Sequence, residues 1–64
     1  MADYTNDIIR IIKKYKCTFV RRGKGDHNIW YTPILNRTFT VDSAVKDRHL
    51  ANKILKDAGI NYRF

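Results

Sequence analysis

A single cysteine, Cys17, is the feature that most restricts how this chain can fold. At 64 residues, the chain is close to the length below which domains usually need disulfides, a structural metal or a partner. One cysteine provides neither an internal disulfide nor a thiolate cage for a metal ion. Folding must therefore depend on the hydrophobic core, and a hydrophobic content of 44% is enough to form one. We expect a single domain over residues 1–64, without a cofactor.

Basic residues outnumber acidic ones, and the excess is local. Thirteen Lys and Arg against six Asp give a formal net charge of +7. Seven basic residues and no acidic one lie between residues 10 and 24: Arg10, Lys13, Lys14, Lys16, Arg21, Arg22 and Lys24. Such a cluster binds polyanions through counterion release, and it would also attract an acidic protein. Because the basic residues lie on consecutive elements, a polyanion partner is favoured over a merely solubilising surface.

The N-terminus has no apolar signal segment, and no stretch approaches the roughly 20 apolar residues of a membrane span. A lone cysteine is also typical of a reducing compartment. We therefore expect a cytoplasmic protein that does not act at a membrane.

Two segments have the apolar spacing of amphipathic helices. The first begins at the capping side chains of Thr5-Asn6-Asp7 and extends to about Tyr15, with Ile8, Ile11 and Ile12 on its inner side. Asp47 is predicted to cap the second helix, and Gly59 to end it in a left-handed conformation. The inner face of the second helix would consist of Leu50, Ala51, Ile54, Leu55 and Ala58.

The region between the helices predicts three strands. Residues 17–22, 27–32 and 38–41 are rich in β-forming side chains, and they are joined by a glycine loop and by the hairpin connection 33–37. Residues 42–46 then form a linker, and Ile60, Tyr62 and Phe64 form an apolar tail that docks on the domain or on a partner. The predicted fold is α+β, in the order α-β-β-β-α, with a three-stranded antiparallel sheet and both helices on one sheet face. Trp30 would face the core, and the alternative is a surface on which a base stacks.

The glycine loop carries the candidate catalytic residue. The run Gly23-Lys24-Gly25-Asp26 delivers His27 to the first position of a strand, which fixes the direction of the imidazole. Histidine can give and take protons near neutrality, and Lys24, Arg21 and Arg22 suit phosphate oxygens. Metal-free RNA cleavage requires a base, an acid and a cation. The alternative is a loop histidine that only forms hydrogen bonds, with Asp26 as a turn residue.

The second histidine, His49, lies in the first turn of the second helix. It shares a helix side with Asn52, Lys53 and Lys56, so that this side could contact phosphates or bases, or simply face solvent. No arrangement of Asp, His and Cys has the spacing of a metal site. Cys17 has no neighbouring histidine and is interpreted as a small buried residue.

The stretch Arg22–Trp30, the segment Arg48-His49 with Asn52, and the stretch Ile54–Ile60 together resemble the HicA family of bacterial toxins. The similarity spans most of the chain. It implies a fold like the double-stranded RNA-binding domain, cleavage of mRNA with His27 as the catalytic histidine, and growth arrest. It also implies a HicB-type antitoxin as partner, and we expect the free toxin to be a monomer.

Two other functions remain open at this point. A non-catalytic RNA-binding module of the same fold would explain the charge and the aromatic residues equally well. A module that binds an acidic protein would explain the charge, but not a histidine held at the end of a glycine loop.

Overall fold

The computed structural model describes residues 3–64 as an α+β fold. Helix α1 spans Thr5–Lys14 and helix α2 spans Arg48–Asp57. Strands β1 (Thr18–Arg22), β2 (His27–Thr32) and β3 (Arg37–Asp42) form an antiparallel sheet in the order β1-β2-β3. The predicted fold class is confirmed, and each strand lies within one residue of its predicted bounds. Within the described residues, neither helix combines the length and the apolar character needed to cross a membrane.

One face of the sheet forms the core with both helices. The alternation along β2 directs Trp30 to this inner face, and His27, Ile29 and Tyr31 to the outer face, as predicted. Trp30 pairs with Phe39 of β3, and both are buried. The main members of the core cluster are Ile8, Ile12, Trp30, Phe39, Val41, Ile54 and Leu55.

The start of α1 differs from the prediction that Thr5-Asn6-Asp7 would supply the cap. Instead, Asp3 Oδ1 accepts a hydrogen bond from the Thr5 N–H at 3.0 Å, and this hydrogen bond lowers the pKa of Asp3. The Thr5 hydroxyl accepts from the Val45 N–H at 2.7 Å, which ties α1 to the segment before α2. Asp7 forms an ion pair with Arg10 at 2.6 Å. The expected cap was wrong because the Thr5 side chain makes a tertiary contact.

Helix α2 begins and ends as predicted. The Asp47 carboxylate accepts from the His49 N–H at 3.4 Å, and Gly59 adopts a left-handed conformation with φ of 79°. The tail docks on the domain through Ile60, which is buried, and through Phe64, which packs against the core.

The connection between β2 and β3 sets the register of the sheet. Residues 33–36 form the turn, and Asn36 adopts a φ of 53°. With this turn length, Thr32 pairs with Arg37, and at the far end of the hairpin His27 pairs with Asp42. The hairpin therefore places a carboxylate directly opposite the candidate catalytic histidine.

Candidate functional site

Backbone hydrogen bonds hold the loop between β1 and β2 around His27. The Gly23 N–H donates to the His27 carbonyl at 2.7 Å, and the His27 N–H donates to the Lys24 carbonyl at 3.4 Å. A Cβ at Gly23 would lie 3.1 Å from the His27 carbonyl oxygen and 3.2 Å from Cδ1 of Ile29, so a larger residue would push these neighbours away by a few tenths of an ångström. Gly25 has a φ of 67°, which places it in the left-handed region. The loop thus holds the His27 backbone in a defined position.

The same loop is bound to the residue that follows β3. The Asp26 carbonyl accepts from the Ser43 N–H at 2.7 Å and from Ser43 Oγ at 2.6 Å. These contacts agree with the interpretation of Asp26 as a turn residue that acts through its main chain. The glycine loop and the end of β3 therefore form one hydrogen-bonded unit.

The imidazole of His27 is bound to a carboxylate across the hairpin. His27 Nδ1 lies 2.8 Å from Asp42 Oδ1, and the two side chains are 54% and 29% exposed. An ionised carboxylate can only accept hydrogen bonds, so Nδ1 carries the proton in this pair. Nε2 of the neutral ring is then an acceptor that is available to a ligand.

Two open clefts meet at His27. A cleft of about 710 Å³ runs along the free edge of β3 beside α2, and a smaller one of about 480 Å³ lies against the glycine loop. Lys24, His27 and Asp42 line both clefts. We call the larger one the edge cleft. A cation and an oriented imidazole thus border the same open space.

The other two predicted loop cations are placed differently. In the β1–β2 ladder, Arg21 pairs with Ile29 and Arg22 pairs with Asn28. Paired residues share a sheet face, so Arg21 lies on the outer face with His27, whereas Arg22 lies on the inner face. Neither arginine lines the two clefts at His27. Of the three, only Lys24 lines the clefts at His27.

The predicted basic side of α2 lines a third cleft, of about 670 Å³, between this helix and the C-terminal tail. His49, Asn52, Lys53 and Lys56 all border it, as expected from their helical spacing. Lys53 also lines the edge cleft, and its ammonium lies 3.4 Å from Asp57 Oδ2. Lys53 therefore connects the surface around His27 with the surface around His49.

Asp42 is the site residue that was not predicted, because residues 42–46 were interpreted as a linker. A signal was available in the hairpin itself. In an antiparallel hairpin, the length of the turn determines which residues of the two strands face each other. The turn pairs Thr32 with Arg37, and counting along both strands from this pair makes Asp42 the partner of His27.

No three side chains of His, Cys, Asp or Glu lie together as a metal site would require within residues 3–64. Cys17 is buried, as predicted, and burial raises the pKa of its thiol. It therefore offers neither a reactive thiolate nor a metal ligand at neutral pH.

A family model described as the HicA toxin of bacterial toxin–antitoxin systems matches residues 5–60. The chain belongs to the HicA toxin family. The matched region includes α1, the whole sheet, the His27 loop and α2, which confirms the resemblance seen in the sequence. Comparisons with curated proteins and with solved structures gave no match.

Proposed function

We propose that this HicA family member is an endoribonuclease that cleaves mRNA without a metal ion, as the toxin of a type II toxin–antitoxin system. One observation carries the proposal: His27 is an exposed imidazole whose Nδ1 is engaged by Asp42 and whose Nε2 is available beside Lys24. A histidine that merely stabilised the fold would be expected to use its ring nitrogens within the protein.

The proposed reaction is attack of a ribose 2′-hydroxyl on the adjacent phosphate. The 2′-oxygen forms a bond to phosphorus while the bond to the 5′-oxygen breaks, which yields a 2′,3′-cyclic phosphate and a 5′-hydroxyl. His27 Nε2 accepts the proton of the 2′-hydroxyl, the departing 5′-oxygen takes a proton from a water molecule, and His27 afterwards returns its proton to the solvent. The ammonium of Lys24 stabilises the charge that develops on the phosphate oxygens.

The donor set supports a route without a metal. Residues 3–64 bring together no cluster of His, Cys or acidic side chains suited to a cation, whereas the clefts at His27 contain a proton acceptor and a cation. We therefore assign proton transfer to His27 and charge stabilisation to Lys24, with no cofactor.

The RNA-binding role is proposed for five basic residues on three elements: Arg21, Arg22, Lys24, His49 and Lys53. The charges of the two arginines and two lysines attract phosphates without regard to sequence, and the His49 ring can form a hydrogen bond with RNA. The likeness to the double-stranded RNA-binding domain that the family resemblance implies belongs to the same proposal. It agrees with helices that cover one sheet face and leave the other open.

Family membership also motivates a HicB-type antitoxin as the partner. A +7 nuclease in the cytoplasm has to be inhibited during its own synthesis, and an acidic protein that covers His27 would achieve this. We propose a tight complex with such an antitoxin, and a monomeric free toxin.

The deciding experiment compares His27→Ala with His49→Ala, the matched loss of an imidazole away from the loop. We expect His27→Ala to lower the single-turnover cleavage rate at saturating RNA by about 10² to 10⁴, which is the range for one acid–base group. His49→Ala should leave that rate within a few-fold. The products should carry 2′,3′-cyclic phosphates, and EDTA should not inhibit.

Unchanged cleavage by a folded His27→Ala protein would refute the catalytic assignment. Full inhibition by EDTA that added magnesium reverses would refute the metal-free route. Tight RNA binding without any cleavage by the unmodified protein would favour the non-catalytic RNA-binding module.

A further inference from the structure

The cleft between α2 and the C-terminal tail has features that the cleavage site does not explain. We call it the tail cleft, and the residues of interest are His49, Asn52, Lys53, Lys56, Tyr62 and Arg63. Among the residues that line it, three are permanently cationic and none is an Asp. Lys56 and Arg63 form no ion pair with a carboxylate within residues 3–64, and Lys53 has only its exposed pair with Asp57. The tail cleft therefore has unneutralised positive charge.

The wall of the tail cleft is held in place by contacts at both ends of the tail. The Ile60 N–H donates to the Leu55 carbonyl at 2.9 Å, and Ile60 is buried. The Phe64 N–H donates to Asn52 Oδ1 at 2.8 Å, and the Phe64 ring lies 4.9 Å from the ring of Tyr4. Residues 60–64 are thus bent back along α2, which forms the cleft before any ligand arrives.

Tyr62 lies between these two anchors. Its ring meets that of Phe64 edge to face, with centroids 5.1 Å apart and planes at 77°. This contact orients the ring, yet 43% of the Tyr62 residue surface remains exposed. An oriented and accessible aromatic ring is a surface on which a nucleobase can stack.

The polar groups around Tyr62 suit the other parts of a nucleotide. Since Asn52 Oδ1 is used by Phe64, the Nδ2 group of Asn52 remains as a donor for a base or ribose oxygen. The ammonium of Lys56 and the guanidinium of Arg63 suit phosphate oxygens. An aromatic ring, an amide donor and unpaired cations around one cleft favour a nucleotide over an acidic peptide, which needs only the cations.

The position of the tail cleft relative to His27 indicates which nucleotide of an RNA strand would bind there. Lys53 lines both the tail cleft and the edge cleft, and the edge cleft contains His27. A single strand whose phosphate lies at His27 can therefore follow α2 across Lys53 into the tail cleft. Resting on the proposed function, we propose that the tail cleft binds a nucleotide that flanks the cleaved linkage of single-stranded RNA, with its base stacked on Tyr62.

The test measures binding separately from cleavage. Fluorescence anisotropy with a labelled single-stranded 2′-O-methyl RNA oligonucleotide, which cannot be cleaved, would be applied to the full chain with His27 unchanged. We expect Tyr62→Ala to raise Kd about 5- to 150-fold, as loss of one stacked base does, and Tyr62→Phe to stay within about twofold. Tyr15→Ala is the matched control, because Tyr15 is 41% exposed and does not line the tail cleft.

Arg63→Ala provides a second, charge-based readout that does not depend on the ring. We expect it to reduce the slope of log Kd against log salt by about 0.7, the value for one phosphate contact on a single strand.

The outcomes distinguish this inference from the proposed nuclease. Equal Kd values for Tyr62→Ala, Tyr15→Ala and the unmodified protein would refute nucleotide binding in the tail cleft, even if His27-dependent cleavage is observed. A Tyr62-dependent Kd without any cleavage would support nucleotide binding in the tail cleft and refute the nuclease. If Tyr62→Ala weakens a co-expressed antitoxin complex but not RNA binding, the tail cleft is a protein site and our inference is wrong.

Discussion

The side chains of His27 and Asp42 are joined by a hydrogen bond of 2.8 Å, although 15 residues separate them in the chain. The bond exists because β2 and β3 are antiparallel and their register makes these two residues direct partners. The carboxylate holds the imidazole in one orientation and selects the tautomer with the proton on Nδ1. In the proposed reaction Asp42 is thus a positioning residue, because it would act on RNA only through His27.

We expect Asp42→Asn to lower the cleavage rate at saturating RNA about 10- to 100-fold. This corresponds to loss of one charge-assisted hydrogen bond of about 1.5 to 3 kcal/mol. The Kd for a non-cleavable RNA should change little, and the pH dependence of the rate should shift, which a purely structural role would not cause. Asp26→Asn is the matched control: it removes a carboxylate from the same loop, and the contacts of Asp26 to Ser43 use its main-chain carbonyl. Equal rates for the two variants would contradict the role of Asp42.

Gly23 and Gly25 allow a test of whether the backbone position of His27 matters. Gly23→Ala places a methyl group 3.1 Å from the His27 carbonyl oxygen, so that the backbone has to move by a few tenths of an ångström. We expect cleavage to fall at least tenfold while the protein stays folded by circular dichroism. Gly25→Asn is the control, since open space surrounds Gly25 and asparagine tolerates its φ of 67°. Comparable losses in both variants would point to general loop disruption.

Local sequence signals were sufficient for the fold and for the position of His27 at the start of β2. The glycine loop, the β-forming run after it and the helical apolar spacing each act over a few neighbouring residues. Residues 27–32 were therefore predicted with the bounds that β2 has in the structure. The predicted α1 cap was wrong because a contact between distant residues decides it. The Thr5 hydroxyl accepts a hydrogen bond from the N–H of Val45, which is 40 residues away in the chain.

The rest of the candidate site depends on such distant contacts. Asp42 reaches His27 only through the register of the hairpin, and Lys53 reaches the edge cleft only because α2 packs beside β3. The positions of Arg21, Arg22 and Lys24 in the structure likewise do not follow from their proximity in the sequence. Adjacent in sequence, the two arginines lie on opposite faces of β1, because side chains alternate along a strand.

A buried hydroxyl connects the sheet to the end of α2. Thr32 Oγ1 donates to the Ala58 carbonyl at 2.7 Å and accepts from the Ile34 N–H at 3.2 Å, and Thr32 is fully buried. We expect Thr32→Val to lower the free energy of unfolding by about 1 to 3 kcal/mol, because both partners lose their hydrogen bond. Urea unfolding would measure this. Thr40→Val, on the exposed face of β3, should stay within about 0.5 kcal/mol, and an equal loss there would contradict the assignment.

The last prediction concerns the pH dependence of stability, which follows from Cys17. Burial disfavours the thiolate and raises the pKa of the Cys17 thiol, and this outweighs the opposing effect of the nearby Thr32 side chain. In the unfolded chain the thiol ionises near its ordinary pKa of about 8.5. Below that pH both states hold the proton, and stability is unaffected; above it the unfolded state releases the proton first.

The free energy of unfolding should therefore decline as the pH rises above about 8.5, and more steeply in the unmodified protein than in Cys17→Ala. Urea unfolding of both proteins at a series of pH values from neutral to alkaline measures the difference. All other ionisable side chains are the same in the two proteins, so the comparison isolates the contribution of Cys17. The cavity left by Cys17→Ala lowers the free energy of unfolding of that variant by an amount that does not depend on pH, so it does not change the shape of the curve. If the two curves run parallel through the alkaline range, Cys17 does not carry the raised pKa.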